Sequence, residues 1–221
     1  LRSRSRVVQW LFWIGTFLTL VVAALLVWFF AIRPLGFGTS LVAFTSALVP
    51  VAMVLAAIWW LDRYTPQPRI SLVYAFGWGA IGSVGLTFVI GRPFTSWISP
   101  GEPHAITDAF LGAVIQAPVV EEATKALGLL LLLCWGRRFI GGPIDGVVYA
   151  ALIGGGFAFT ENILYFGNSF HQAQAAGEID VFWQTFFLRG ILSPFAHVSF
   201  TALAGLGLGI AAERRSLMLY F

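Results

Sequence analysis

Apolar residues run along this chain in blocks long enough to cross a bilayer, separated by short polar breaks. A hydrocarbon core of about 30 Å needs roughly 20 apolar residues as helix, and six blocks meet that requirement. They predict spans over about Val8 to Ile32, Leu41 to Leu61 with a kink at Pro50, and Ile70 to Ile90 stopping at Gly91-Arg92-Pro93. Three more follow over about Thr107 to Trp135, Asp145 to Phe166 and Pro194 to Ala212. Polar residues mark loops over Pro100 to His104 and Gly167 to Asp180. Val181 to Leu192 is too short to span, and its aromatic residues predict an interfacial or re-entrant helix. The expected fold is an all-α polytopic membrane protein, a bundle of about six transmembrane helices plus this short one. It forms a single transmembrane domain over 1–221, with three N-terminal spans in 8–90 and the chemistry-bearing spans in 107–212.

Composition agrees with this solvent. Of 221 residues 58% are hydrophobic and 10% charged, against about 45–50% and about 25% in an ordinary soluble domain. The opening Leu-Arg-Ser-Arg-Ser-Arg leads into an apolar run too long for a signal-peptide core, so it reads as a retained helix. The single cysteine, Cys134, lies in an apolar run and has no partner for an internal disulfide.

The net charge of +3 does not signal nucleic acid, because the arginines stand at the ends of apolar runs and not in one patch. They report orientation. With the N-terminus in the cytoplasm the inner side holds nine of them: Arg2, Arg4, Arg6, Arg63, Arg69, Arg137, Arg138, Arg214 and Arg215. The outer side holds three, Arg33, Arg92 and Arg189. Both termini are therefore expected to be cytoplasmic, with His104 and His171 in outer loops.

Five charge-capable residues and one amide sit inside the expected spans: Glu121, Glu122, Lys125, Glu161 with Asn162, and His197. A charge at the centre of a membrane helix costs about 2.5–3.5 kcal/mol on insertion scales, so each needs a reason. On a helix Glu121 and Glu122 flank Lys125 at spacings of four and three, and either can pair with it. One ion pair leaves a second carboxylate to be neutralised elsewhere. In the expected topology Glu161 lies about 7 Å and His197 about 5 Å below the outer ends of their helices at 1.5 Å per residue. If the three helices are neighbours, these groups meet in one polar site.

Such a set supports two kinds of chemistry. Glu121, Glu161 and His197 suit a divalent metal, zinc first, which takes imidazole nitrogen and carboxylate oxygen. Alternatively a carboxylate activates water directly as general base. Both deliver a hydrolytic water inside the membrane. Ser193, Ser199 and Thr201 are weaker nucleophile candidates, because hydroxyls on membrane helices usually bond their own backbone. Lys125 and Asn162 read as supporting residues. The rival function is a transporter or proton- or ion-translocating protein using the same Glu/His cluster; the absence of a repeat between the two halves argues against it. A non-catalytic adaptor with a buried salt-bridge network would not need Glu161 and His197 at matching depth.

Three patterns then occur in order: Glu121-Glu122-x-x-Lys125, Phe157-x-x-x-Glu161-Asn162, and His197 within Pro194-Phe-Ala-His197-Val-Ser-Phe-Thr201. The stretch from Asp145 through Gly154-Gly155-Gly156 to Tyr165 fits with them. The set resembles the PrsW family of intramembrane proteases, distant relatives of the CAAX prenyl endopeptidases, over about Pro118 to Gly209. The resemblance implies a bacterial cell-membrane endopeptidase that cuts a single-pass membrane protein, as in site-1 cleavage of anti-sigma factors. It also implies that Glu121, Glu122, Glu161 and His197 form the catalytic or metal-binding set. In the CAAX branch the second motif ends in histidine, where this chain has Glu161, which argues against prenyl-protein processing.

Overall fold

The computed structural model describes residues 6–98, 110, 114–115, 117–135 and 140–217. Among them every regular element is helical and there is no strand. In apolar solvent each backbone N–H and C=O must be satisfied within its own segment, and a helix does this.

Helix α1 covers Arg6–Val27 and α2 covers Phe37–Asp62, running through Pro50. Helix α3 (Arg69–Gly77) continues through a wide π-helical turn, Trp78–Ser83, into α4 (Val84–Ile98). Helix α5 is Ala117–Trp135, α6 is Pro143–Ala176, α7 is Asp180–Phe186 and α8 is Ala196–Leu217. A second π-helical turn, Phe187–Leu192, ends α7, and a bend at 193–195 leads into α8. Among the described residues, four stretches are long and apolar enough to cross a membrane: Phe37–Asp62, Arg69–Gly91, Pro143–Ala176, and Asp180–Arg214 across its bend.

Helix α6 is the hub. It starts at Pro143, whose missing N–H is no loss in a first turn, and ends at Gly177 in the left-handed conformation (φ 72°), whose N–H returns to Ala173 O. Its consecutive glycines face three different partners. A Cβ at Gly154 would lie 2.9 Å from His197 O, one at Gly155 2.9 Å from Val54 Cγ1, and one at Gly156 2.9 Å from Ala80 N. Steps of about 100° per residue spread them around the helix, so α8, α2 and α3 each approach on one side. Gly205 and Gly209, four residues apart on α8, both face the start of α6, at Gly146 and at Gly142-Pro143. Gly207, by contrast, has nothing near it. Gly156→Leu is expected to lower stability by about 1–3 kcal/mol through overpacking. Gly207→Ala should change it by less than about 0.5 kcal/mol. Unfolding in mixed detergent micelles reads both.

Two expected boundaries change. The predicted break at Gly91-Arg92-Pro93 is absent, and α4 carries Pro93 inside it to Ile98. The stretch from Gly167 is not a loop: α6 continues to Ala176, held by Phe166 and Phe170 packed on Phe182 of α7. The short helix expected over Val181 to Leu192 is present, docked on the Ala176 half of α6 through Phe182 and Phe186. Pro100 to His104, Arg137 and Arg138 lie outside the described residues.

Candidate active site

Three helices bring the sequence-selected residues together. Helix α5 carries Glu121, Glu122 and Lys125 in its first turns, α6 carries Glu161 and Asn162 near its middle, and α8 carries His197 in its first turn. Gly154 sets the α6–α8 spacing beside His197. Trp78 and Thr124 fix α5: the Trp78 indole donates to Thr124 O at 3.1 Å, and the Ser83 and Thr124 hydroxyls stand 2.8 Å apart.

Lys125 is wholly buried (0% exposed) and its ammonium has partners on every side. It donates to Glu122 Oε1 at 2.7 Å, lies 3.6 Å from Glu121 Oε2 and 4.0 Å from the Phe157 ring centroid. It also stands 3.0 Å from His197 Nδ1. An ammonium can only donate, so Nδ1 accepts and the imidazole proton sits on Nε2. That nitrogen donates to Glu161 Oε2 at 2.8 Å. Glu122 accepts a second bond from the Thr201 hydroxyl at 3.1 Å. The lysine thus pairs with both glutamates of its own helix and with the histidine of another.

Glu161 has a second partner, one that the sequence marks only as an outer-side arginine. Arg189, on the π-helical turn, donates Nη2 to Glu161 Oε2 at 2.5 Å and Nε to Asn162 Oδ1 at 3.1 Å. Its guanidinium carbon lies 3.7 Å from the Tyr165 ring centroid. Asn162 is buried and spends its side-chain oxygen on Arg189. Counting charges would have found Arg189: three intramembrane glutamates against one lysine leave an acid in want of a cation, and Arg189 is in the same half of the bundle. Thr201 was passed over as a backbone-bonding hydroxyl; it does bond His197 O at 2.8 Å, but also holds Glu122.

Of the three acids, Glu121 has the longest ion-pair contacts. Lys125 favours Glu122, Arg189 holds Glu161, and His197 Nδ1 is 3.8 Å from Glu121 Oε2. Glu121 and Glu161 both face a cleft of about 370 Å³ bounded by Val84, Thr87 and Phe88 of α4 and by Leu164, Tyr165 and Asn168 of α6. A larger apolar crevice of about 600 Å³ opens on another face of α6 against α1 and α2, away from the acids. Chemistry belongs to the smaller one.

The model of the family described as PrsW family intramembrane metalloprotease matches residues 67–221. This chain belongs to that family. A PrsW relative, "Protease PrsW" of Clostridioides difficile, is 30% identical over 166 residues, covering 73% of this chain and 63% of that protein. The chain therefore spans less than two thirds of that relative's length. No solved structure matches it significantly. The family match begins just before α3 and takes in every residue of the cluster, so the resemblance drawn from Pro118 onward extends to α3 and α4.

A PrsW metalloprotease calls for metal ligands, and among the described residues one group offers them. Glu121, Glu161 and His197 present ligand atoms that all lie within 4.8 Å of one another. One imidazole nitrogen and two carboxylate oxygens suit a divalent ion. Three carboxylates facing two cationic side chains leave the cluster acidic, which suits a further cation. The donor set fits. His171 lies exposed near the far end of α6 and is outside this group, and His104 is outside the described residues.

Proposed function

We propose that this chain is an intramembrane endopeptidase that hydrolyses a peptide bond of a single-pass membrane protein, an anti-sigma-factor-like protein being the substrate class the family resemblance favours. One observation carries the reading: two carboxylates and an imidazole from three helices converge, and both carboxylates line a cleft. The PrsW match supports proteolysis over ion transport for the same cluster.

The roles follow from which groups are already engaged. Glu121 is the general base: it faces the cleft, while Glu122 is taken by Lys125 and Thr201. As the water oxygen adds to the scissile carbonyl carbon, Glu121 takes the water's proton. The C–N bond then breaks, and that proton passes to the nitrogen, which leaves as an amine. His197 and Glu161 orient each other through the 2.8 Å bond. Alternatively, Glu121, Glu161 and His197 would hold a metal, zinc in this reading, with Glu121 then a ligand and not the base; the chemistry the ion would supply is polarisation of the carbonyl and activation of water. Lys125, Arg189 and Asn162 hold the acids in place. Metal analysis of the purified chain, with a cleavage assay before and after chelation, tests the assignment. Metal retained at one equivalent and activity lost on chelation support it. Full activity in metal-free protein would remove the metal and leave the glutamate-base mechanism.

The cleavage position follows from depth. With both termini in the cytoplasm of a bacterial cell, the Ala176 end of α6 faces outward. Exposed Asn168, His171 and Gln172 mark where α6 leaves the hydrocarbon, and Glu161 lies seven residues, about 10 Å, below Asn168. The cut is expected in the outer half of the membrane. A cysteine at exposed Gln174, in a chain with Cys134 replaced, should react with a membrane-impermeant maleimide added outside intact cells. Reaction only after lysis would invert the topology.

A further inference from the structure

The helices around the site touch closely on one side of Thr160 and part on the other. Toward Pro143, Gly79 sits against the Ile153 carbonyl and Gly156 against the Phe76 carbonyl. At Thr160 the hydroxyl donates to Ala80 O at 2.7 Å. Beyond it the facing residues become bulky: Val84, Thr87 and Phe88 at spacings of three and four on α4, Leu164 and Asn168 on α6. Helices with such residues cannot keep glycine-sized separation, and the gap between them is the cleft.

The cleft has a direction. Phe157, Glu121 and Glu161 form its deep end and Asn168 its far rim. From Phe157 to Asn168 is eleven residues, about 16 Å of helix rise. A helix with side chains is about 10–12 Å across, too wide to be enclosed in a cleft of about 370 Å³. An extended chain rises about 3.3 Å per residue and turns only alternate side chains inward, so about five residues match the length. The walls are mainly apolar, while the Thr87 hydroxyl and the Asn168 amide provide donor and acceptor groups for a peptide backbone.

We propose that this cleft seats the substrate on the Asn168 side of its scissile bond, as an extended strand with an apolar side chain between Val84, Phe88 and Leu164. The proposal rests on the endopeptidase reading and gives it a substrate geometry. The substrate helix must unwind on its outward side, and bulky apolar residues there favour binding.

Photo-crosslinking tests it. The probe is a synthetic peptide with a Leu/Ala spanning helix of roughly 20 residues and an outward stretch alternating Gly and Leu. The chain carries Glu121→Gln to prevent turnover, and p-benzoylphenylalanine replaces Phe88, Leu164 or, as control, lipid-facing Leu203. Crosslinks from positions 88 and 164 should exceed those from 203 and map to the outward stretch. Filling the cleft with Val84→Trp, or from the other wall with Leu164→Trp, should abolish the crosslink from position 88. Equal labelling from 203, or crosslinks mapping inward of the cut, would overturn the proposal. The peptide is incubated in parallel with the chain that keeps Glu121. Crosslinking without cleavage would keep the cleft and sink the protease reading; cleavage without crosslinking from 88 or 164 would sink the cleft alone.

Discussion

Glu121→Gln is expected to lower the rate of peptide-bond cleavage by about 10²–10⁴-fold, the contribution of a general base, while the protein remains folded. The amide keeps the shape of the carboxylate but cannot take the water's proton. Little structural cost should accompany the change, because the contacts of Glu121 are long, 3.6 Å to Lys125 and 3.8 Å to His197 Nδ1. Glu122→Gln should behave differently. It removes the charge that pairs with Lys125 at 2.7 Å and leaves one acceptor oxygen where Lys125 and Thr201 now use two, so stability should fall along with activity. The same assay run on both variants, with melting temperatures measured beside it, separates base from positioning carboxylate. Near-full activity in Glu121→Gln would move the base to another residue. Glu161→Gln and His197→Ala remove the remaining members of the cluster and should also abolish cleavage.

The cluster was legible in the sequence because membranes penalise charge. Glu121, Glu161 and His197 stood out as side chains too costly to place in hydrocarbon without a purpose, and the expected depths agreed well enough to suggest contact. The structure supplies that contact, at 2.8 Å between Glu161 and His197. What hydropathy could not show was backbone state beyond the bilayer. Asn168, His171 and Gln172 report that the chain has met water, and water is compatible with a loop or a helix. The helix persists because Phe166 and Phe170 have Phe182 and Phe186 to pack on, a long-range fact absent from local pattern. Pro93 misled in the same way: the proline withholds one hydrogen bond but does not end the helix.

Arg189 shows a different limit. An arginine near an expected membrane surface is most simply a headgroup contact, and nothing local contradicts that. Its role appears only when α7 folds back along α6 and the π-helical turn sets the side chain beside Glu161 and Asn162. The three glycines of α6 were read as packing, but their division among three partners depends on all four helices together. Residue chemistry was visible early; the partner of each residue required the bundle.

Lys125→Met is expected to destabilise the protein by about 3 kcal/mol, the lower end for removing one partner of a buried ion pair. Methionine conserves the length and apolar stem of the side chain and fills the space against Phe157. The loss is therefore electrostatic rather than a cavity. Glu122 would lose its 2.7 Å cation and Glu121 its nearest one, leaving unpaired carboxylates in a low-dielectric site. Glu122 keeps 38% exposure and some solvation, which places the expected cost at the lower end. His197 also loses the donor to Nδ1, so the imidazole can adopt the other tautomer and its bond to Glu161 loosens. The double variant Lys125→Met/Glu122→Gln separates these effects. Stability should recover toward wild type because the stranded carboxylate is gone, while cleavage stays impaired because His197 lacks the Nδ1 donor that sets its tautomer. A double variant no more stable than Lys125→Met alone would show that the lysine stabilises the fold by some route other than its pairing with Glu122.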